Sequence, residues 1–435
     1  MTNLFEERKI NNYEIDYLNN LDNSQREAVT SEDEKVLLRA PAGSGKTSSL
    51  IAAIVNYRYN WLADKICAIT YTRAARAEMQ SRLQELGIYD VDVTTIHVWA
   101  RNLLEQFAAK YDFKINILTE AETKALLKII ADEYLLSHRK IRYINTEILY
   151  SFITGNKNMD VSDNYKKTLM ALEEMYVKYK RDNCLYDFTD YPLYLYDIIN
   201  AYDETIYGID ALFVDEFQDV DSVQYWLFNK VKSKKKFFVG DEKQSIFQFR
   251  GADGKVFDKA KGFSLYELKY NYRSKQEIID YANTVYNELK EAADENCCIT
   301  QIDYSVPNEN VICDRGNGGN VYIINSYGEC VKINGMEKYK LDIRQTFNNI
   351  MSKDPMILCR KNKEVKEINK MNYFNASTIH QAKGLEYEDV IVIDSEIQND
   401  EDLNVAYVAL TRAKNNVLVM PWNQFEMLYN IYLRL

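Results

Sequence analysis

No stretch of this chain stays apolar for the roughly 18 residues that a bilayer-spanning helix needs. Its first residues, Met1-Thr2-Asn3-Leu4-Phe5-Glu6-Glu7-Arg8, lack the charged-then-apolar order of a secretory leader. Both shortages predict a cytoplasmic protein with no membrane partner. Histidine is scarce, at three residues, and the seven cysteines form no C-x-x-C pair. Neither a zinc site nor a disulfide framework is expected, and free thiols in a reducing compartment fit better. Positive charge is also in deficit: 54 Lys and Arg stand against 65 Asp and Glu, for a formal net charge of −11. Bulk electrostatics therefore cannot coat this protein onto nucleic acid, and any such role must rest on a locally basic groove. What remains is 435 residues at 46% hydrophobic content, a globular composition and enough chain for about two to four domains.

The stretch Ala40-Pro41-Ala42-Gly43-Ser44-Gly45-Lys46-Thr47 has the form of a phosphate-binding loop. An apolar strand pattern, Lys35 to Arg39, precedes it and a helical pattern, Thr47 to Val55, follows it, which is the context that this motif requires. Gly43 and Gly45 let the backbone curl so that the N–H groups around Ala42, Ser44 and Gly45 point at phosphate oxygens, backed by the helix dipole. Lys46 reaches the β- and γ-phosphates of ATP, and the Thr47 hydroxyl takes one position on Mg²⁺. Ala40 stands where the motif has its first glycine. A Gly-Ser turn with an exposed lysine is the plainer alternative.

Downstream, Lys65 to Thr70 reads as a second strand and Ala74 to Leu86 as a helix. Val93-Thr94-Thr95-Ile96-His97 reads as a third strand with a polar end. Between residues 88 and 207 glycine and proline almost vanish, which predicts a helical insertion. Its basic stretches, His138 to Arg142 and Lys178 to Arg181, are either solvated helix faces or contacts to a phosphate backbone. Ala211 to Glu216 then reads as a buried strand ending in two carboxylates. Asp215 is suited to holding Mg²⁺, and Glu216 to orienting and deprotonating the attacking water. A similar strand ends at Asp241, near Gln244. In the C-terminal part, Val321–Ile324, Met356–Cys359, Val390–Ile393 and Val417–Met420 read as buried parallel strands of a second α/β lobe. The cluster Gly316-Asn317-Gly318-Gly319 reads as a turn or flexible loop.

Taken together, the phosphate loop, Thr70 to Met79, Thr95-Ile96-His97, Asp215-Glu216-Phe217-Gln218-Asp219, Val239 to Ala252, Asn271-Tyr272-Arg273-Ser274, Thr378 to Glu386 and Ala406 to Ala413 resemble, in order, the motifs of superfamily 1 helicases of the UvrD/Rep type. The resemblance implies an α/β fold of two RecA-like parallel-sheet lobes, the P-loop NTPase architecture, with a helical insertion in the first lobe. The expected boundaries are 1–100 and 200–264 for the first lobe, 101–199 for the insertion and 265–435 for the second lobe. It implies ATP between the lobes, with its adenine near Gln25 and stacked on Tyr272 and its ribose near Glu386. Gln244 would sense the γ-phosphate, and Arg273 and Arg412 would reach it as fingers from the second lobe. Tyr71, Phe247 and Phe249 fall where bases stack, and His97, Arg250 and His380 where phosphates or bases are contacted. The implied activity is a DNA-dependent ATPase in repair or replication that moves 3′→5′ on single strands, one nucleotide per ATP, and unwinds tailed or forked duplexes. The accessory domain that larger members insert before the motif at Thr378 has no room here. An ATP-gated switch subunit working with a protein partner, such as a nuclease or a replication or repair factor, is the second reading. A P-loop ATPase indifferent to DNA is the third.

Overall fold

The computed structural model describes residues 18–60, 64–138, 143–154, 161–247, 252, 255–291, 298–299, 311–334, 337–370 and 374–432. Helix α1 (Asn23–Val29) opens with a capping box, in which the Asp22 side chain accepts from Ser24 and Gln25 N–H while Gln25 reaches back to Asp22 N–H. There follow β1 (Lys35–Arg39), α2 (Lys46–Asn60), β2 (Ile66–Thr70), α3 (Arg73–Glu85), β3 (Asp92–Thr95) and α4 (Ile96–Tyr111). The chain then leaves the sheet through β4 (Ile117–Leu118), α5 (Glu120–Ser137), α6 (Thr146–Ile153), α7 (Asp163–Asp182), β5 (Tyr186–Asp187) and α8 (Tyr191–Ala201). It returns as β6 (Ala211–Val214), α9 (Ser222–Lys230), β7 (Lys235–Gly240), α10 (Val256–Lys259) and β8 (Ser264–Glu267). The first sheet has the order β3-β2-β6-β7-β1-β8, with every pair parallel. Strands β2, β6 and β7 are buried along their whole length, so β2, β6 and the Phe237–Val239 part of β7 are apolar without alternation. Because all strands run one way, the phosphate loop, Asp215-Glu216 and Asp241 emerge at the same edge.

Three details depart from the sequence reading. Ile96 and His97 lie in the first turn of α4 and not in a strand, because the chain turns at Thr95, which sits extended as the N-cap. The first sheet runs to Glu267, past the expected boundary at 264. Finally, α4 and α8 pack beneath the first sheet, with Trp99, Leu103, Leu104, Leu195 and Ile199 among Leu212, Val214 and Phe238. Among the described residues, the insertion's own core lies on α5, α6 and α7, built from Leu126, Leu127, Ile130, Leu149, Phe152, Leu169, Leu172 and Tyr176. At roughly 1.5–3 kcal/mol per buried aliphatic side chain, that cluster is large enough to hold three helices together.

The second lobe begins with β9 (Tyr270–Asn271) and α11 (Gln276–Glu291), then β10 (Ile312–Cys313), β11 (Asn320–Ile324), β12 (Cys330–Asn334) and β13 (Glu337–Leu341). It continues through α12 (Ile343–Met351), β14 (Met356–Cys359), α13 (Asn362–Lys370), β15 (Ala376–Thr378), β16 (Tyr387–Asp394), α14 (Asp400–Leu410), β17 (Ala413–Pro421) and α15 (Trp422–Tyr432). Its sheet has the order β13-β12-β11-β17-β16-β14-β15. The four strands expected from the sequence pair in parallel, and β12 and β13 add an antiparallel ribbon at one edge.

Candidate nucleotide cleft

A cleft of about 640 Å³ opens between the lobes, lined from the first by Gly43, Gly45, Lys46, Thr47, Asp215 and Glu216 and from the second by Tyr272, Arg273, Glu386 and Arg412. The phosphate loop forms its floor. Gly43 and Gly45 hold φ at 74° and 81°, in the left-handed region that favours glycine. At Gly43 there is also no room for a side chain: a Cβ would meet the Arg273 Cβ at 2.7 Å and the Asn271 amide at 2.8 Å. Ala40 carries no such demand, since its φ is not positive and its N–H donates to Gly240 O at 2.8 Å. Alanine therefore closes the loop as well as glycine does.

Lys46 Nζ lies 2.8 Å from Glu216 Oε2. Burial pulls the Lys46 ammonium down, but the charges of Glu216, Asp241 and Asp215 outweigh it and hold the pKa above the ordinary lysine value. Burial pushes Glu216 up, yet Lys46 and Lys383 prevail and bring it to about 2. Asp215 goes the other way, to about 7, raised by burial and by the Glu216 charge against the pull of Lys46. Glu216 also adopts φ 50°, ψ 45°, a left-handed conformation uncommon outside glycine, which turns its carboxylate toward Lys46 and the Gln218 amide. The Thr47 hydroxyl and the Asp215 carboxylate offer hard oxygen ligands of the kind that Mg²⁺ takes beside phosphates. A divalent cation would favour the ionised form of Asp215, which burial and the Glu216 charge disfavour.

Gln25 is buried, with Oε1 accepting from Asp22 N–H at 3.2 Å and Nε2 donating to Ser44 O at 3.1 Å. An amide has two N–H groups and two acceptor positions, so one of each is left for a base edge. Tyr272 is half-exposed and its hydroxyl donates to Asp22 Oδ2 at 2.6 Å, which fixes the ring beside Gly45. Arg273 Nε donates to Glu386 Oε2 at 3.0 Å, and Lys414 holds the other Glu386 oxygen at 3.0 Å. Arg412 is fully buried and donates to Val408 O, Leu385 O and Gln244 Oε1, each at 3.1 Å. Burial and the nearby Arg273 charge draw it down to about 9. Gln244 in turn donates to Asp241 Oδ2 at 2.7 Å. One polar chain thus links the end of β7 to a second-lobe arginine.

At the far end of this segment the Tyr71 and Phe247 rings stack at 5.3 Å and 12°, and the His380 ring lies 6.3 Å from Phe247. These three expected DNA contacts converge from both lobes. His97 does not join them. It is partly buried and donates to the Thr189 backbone near Asp187, while burial pulls its pKa below the ordinary histidine value. Phe249 and Arg250 lie outside the described residues, as do Arg139 to Arg142. In the other basic stretch Lys180 is buried and neutralised by Asp187 at 2.7 Å and Asp190 at 2.5 Å, so it faces no phosphate backbone.

The structure also brings in residues that the sequence reading gave no role. Asn271 donates to Ala42 O at 2.5 Å and accepts from the N–H groups of Arg273 and Ser274, tying the second-lobe segment to the phosphate loop. Lys383 pairs with Asp219 at 2.6 Å across the lobes. Asn404, on α14, donates to Ser245 O at 2.8 Å. All three lie inside or beside motif stretches, and a polar residue flanking a matched motif was the available signal.

Comparison with known proteins adds a family. The description "UvrD/REP helicase N-terminal domain" matches residues 21–263, and "UvrD-like helicase C-terminal domain" matches residues 373–420. A protein named "Probable DNA helicase" from Mycoplasma pneumoniae is 26% identical over 91% of this chain and 82% of its own length. "ATP-dependent DNA helicase PcrA" of Leuconostoc citreum is 30% identical over 63% of this chain, and "ATP-dependent DNA helicase Rep" of Buchnera aphidicola is 29% identical over 60%. The matches cover only 40% and 44% of the lengths of those two relatives.

Proposed function

Because the chain belongs to the UvrD/REP helicase family, whose N-terminal domain spans more than half of it, we propose that it is an ATP-driven motor that translocates 3′→5′ on single-stranded DNA and separates duplex strands. The observation that carries this reading is the cleft itself, in which a phosphate loop and two strand-end carboxylates of one lobe face Arg273 and Arg412 of the other. Thr47 and Asp215 would hold Mg²⁺, which would supply charge neutralisation there. The residues of the chain do the rest. Lys46 and Glu216 pair directly, at 2.8 Å. A γ-phosphate competes for Lys46 and releases the Glu216 carboxylate to orient and deprotonate water. Arg273 and Arg412 then stabilise charge that develops in the transition state. Gln244, bonded to Arg412 and three residues from Phe247, carries the nucleotide state toward the Tyr71–Phe247 rings, where bases stack without regard to sequence.

The test is steady-state ATP hydrolysis with and without single-stranded DNA at two salt concentrations. Stimulation that weakens with salt supports the motor, and its loss in Lys46→Ala supports the site. Turnover of the wild-type chain that ignores DNA would refute it. A second reading is favoured by one observation. The chain between β14 and β15 holds α13 and few residues besides, so no accessory domain is inserted there. An ATP-gated subunit that unwinds little alone fits that economy, and a strand-displacement assay on 3′-tailed duplexes separates the two.

A further inference from the structure

The stretch 311–319 belongs to none of the matched motifs, and its glycines read as a turn. In the structure it is a strap laid along the segment that carries Tyr272 and Arg273. Strand β10 pairs in parallel with β9, Ile312 against Tyr270 and Cys313 against Asn271. Ile312 N–H donates to Lys269 O and Asp314 N–H to Asn271 O, both at 2.8 Å. Further on, the N–H groups of Gly318 and Gly319 donate to the two oxygens of Glu277, in the first turn of α11, at 2.8 and 2.9 Å. A Cβ on residue 319 would lie 2.6 Å from the Lys275 Cβ. Glycine is what lets the strap close there.

That closure delivers one side chain to the nucleotide cleft, Arg315. Its Nη1 donates to Arg273 O at 2.8 Å and its Nη2 to Asn415 Oδ1 at 3.0 Å. Asn415, on β17, passes the contact to Glu388 at 2.7 Å. The guanidinium therefore bridges the backbone of Arg273 to the sheet of the second lobe. A planar fork is suited to two acceptors held at a fixed angle, and a lysine ammonium is not. The Arg273 side chain has only modest support of its own, from the half-exposed Glu386 and from Thr411 O at 3.3 Å.

We infer that Arg315 is a positioning residue for ATP hydrolysis, bracing the main chain of Arg273 so that its guanidinium meets the γ-phosphate in the transition state. This rests on the reading of Arg273 as a finger proposed above. Misplacing a group that acts only in the transition state lowers kcat and leaves ground-state binding alone.

The experiment uses the full chain, saturating single-stranded DNA and steady-state ATP hydrolysis, with binding of a fluorescent ATP analogue measured alongside. Arg315→Ala should lower kcat by about ten- to a hundred-fold, the scale of a small misplacement of a catalytic group, with the KM for ATP and analogue binding unchanged. Arg315→Lys should lose as much, because it keeps the charge and lacks the fork. Asn415→Ala should show a smaller loss of the same kind, and it carries the test with Arg315→Lys if the alanine variant does not fold. Unchanged kcat overturns the inference. So does rescue by lysine, or a rise in KM with kcat kept, which would make Arg315 a ground-state ligand of the nucleotide. Arg273→Ala separates the two layers: if that variant still turns over ATP, the finger reading fails, whatever Arg315 does.

Discussion

Replacing Lys383 with methionine tests how the two lobes are held. Its ammonium lies 2.6 Å from Asp219 Oδ2, donates to Gln244 O at 2.8 Å and sits 4.6 Å above the Phe247 ring. The two side chains are only 8% and 1% exposed, so Lys383→Met leaves the Asp219 carboxylate uncompensated in the protein interior. Breaking a buried pair from one side costs about 3–5 kcal/mol. Unfolding entropy of about 2.1 cal/mol/K per residue, over 435 residues, gives about 0.9 kcal/mol/K, so Tm should fall by about 3–5 °C. Adding Asp219→Asn removes the stranded charge and should restore most of the loss. Thermal unfolding of the four proteins at pH 7.5 forms a double-mutant cycle. A drop below about 1 °C in the single variant, or a double variant no better than Lys383→Met, would refute the reasoning. The pH dependence has a definite sign. Burial raises Asp219 to about 6, against the pull of Lys383, so between about pH 4 and 6 the native state binds more protons than the unfolded chain and stability falls as pH rises. Relative to Asp219→Asn, the wild-type chain should lose roughly 2–3 kcal/mol across that window and nothing further above it.

Three other expectations concern the cleft and the aromatic shelf. Glu216→Gln should cut ATP turnover by about 10²–10⁴, the range for a lost general base, while ATP binding persists, since the amide no longer competes for Lys46; filter binding beside turnover measures both. Tyr272→Phe keeps the stacking ring and loses only the bond to Asp22 at 2.6 Å, so the KM for ATP should rise by about two- to ten-fold with kcat unchanged, the scale of one net hydrogen bond. Phe247→Ala should weaken single-stranded DNA binding by about 1–3 kcal/mol in fluorescence anisotropy, with ATP turnover in the absence of DNA preserved; a variant that binds DNA as tightly as the wild-type chain would remove Phe247 from the proposed path.

The parallel strands were legible because burial on both faces leaves unbroken apolar runs, and the phosphate loop because a backbone that curls around phosphate demands small residues at fixed spacing. Strand β8 reads ill from sequence for the opposite reason: at the edge of the sheet it is only half covered, and Ser264-Leu265-Tyr266-Glu267 shows no apolar run. The antiparallel β12–β13 ribbon, with Lys332, Lys338 and Lys340 among its residues, is masked in the same way. His97 was misplaced because Val-Thr-Thr-Ile is a strand composition, and only the turn at Thr95 sends the next residues into a helix. Lys180 was read as surface charge because its carboxylate partners lie 7 and 10 residues further on, beyond any helical spacing. Arg315 had no signal at all. Its role depends on β9 and β10 pairing, which joins residues 42 positions apart.

The second lobe grips one short piece of the first. Asn283 takes Lys243 at 2.8 Å, Arg412 takes the Gln244 side chain, Lys383 takes the Gln244 carbonyl, and Asn404 takes Ser245 O. All four contacts fall within three consecutive residues, between the strand-end Asp241 at the cleft and Phe247 in the aromatic stack. A displacement of the second lobe therefore cannot leave this segment in place unless buried bonds break, and each donor left unsatisfied costs about 1–3 kcal/mol. Asn404 is buried with its amide on Ser245 O, so it serves this grip and is not free to meet a phosphate. In the proposed motor the nucleotide acts at one end of the segment and the bases stack at the other. The coupling between them then requires no long pathway, only that residues 243–245 move as a unit with the lobe that holds them.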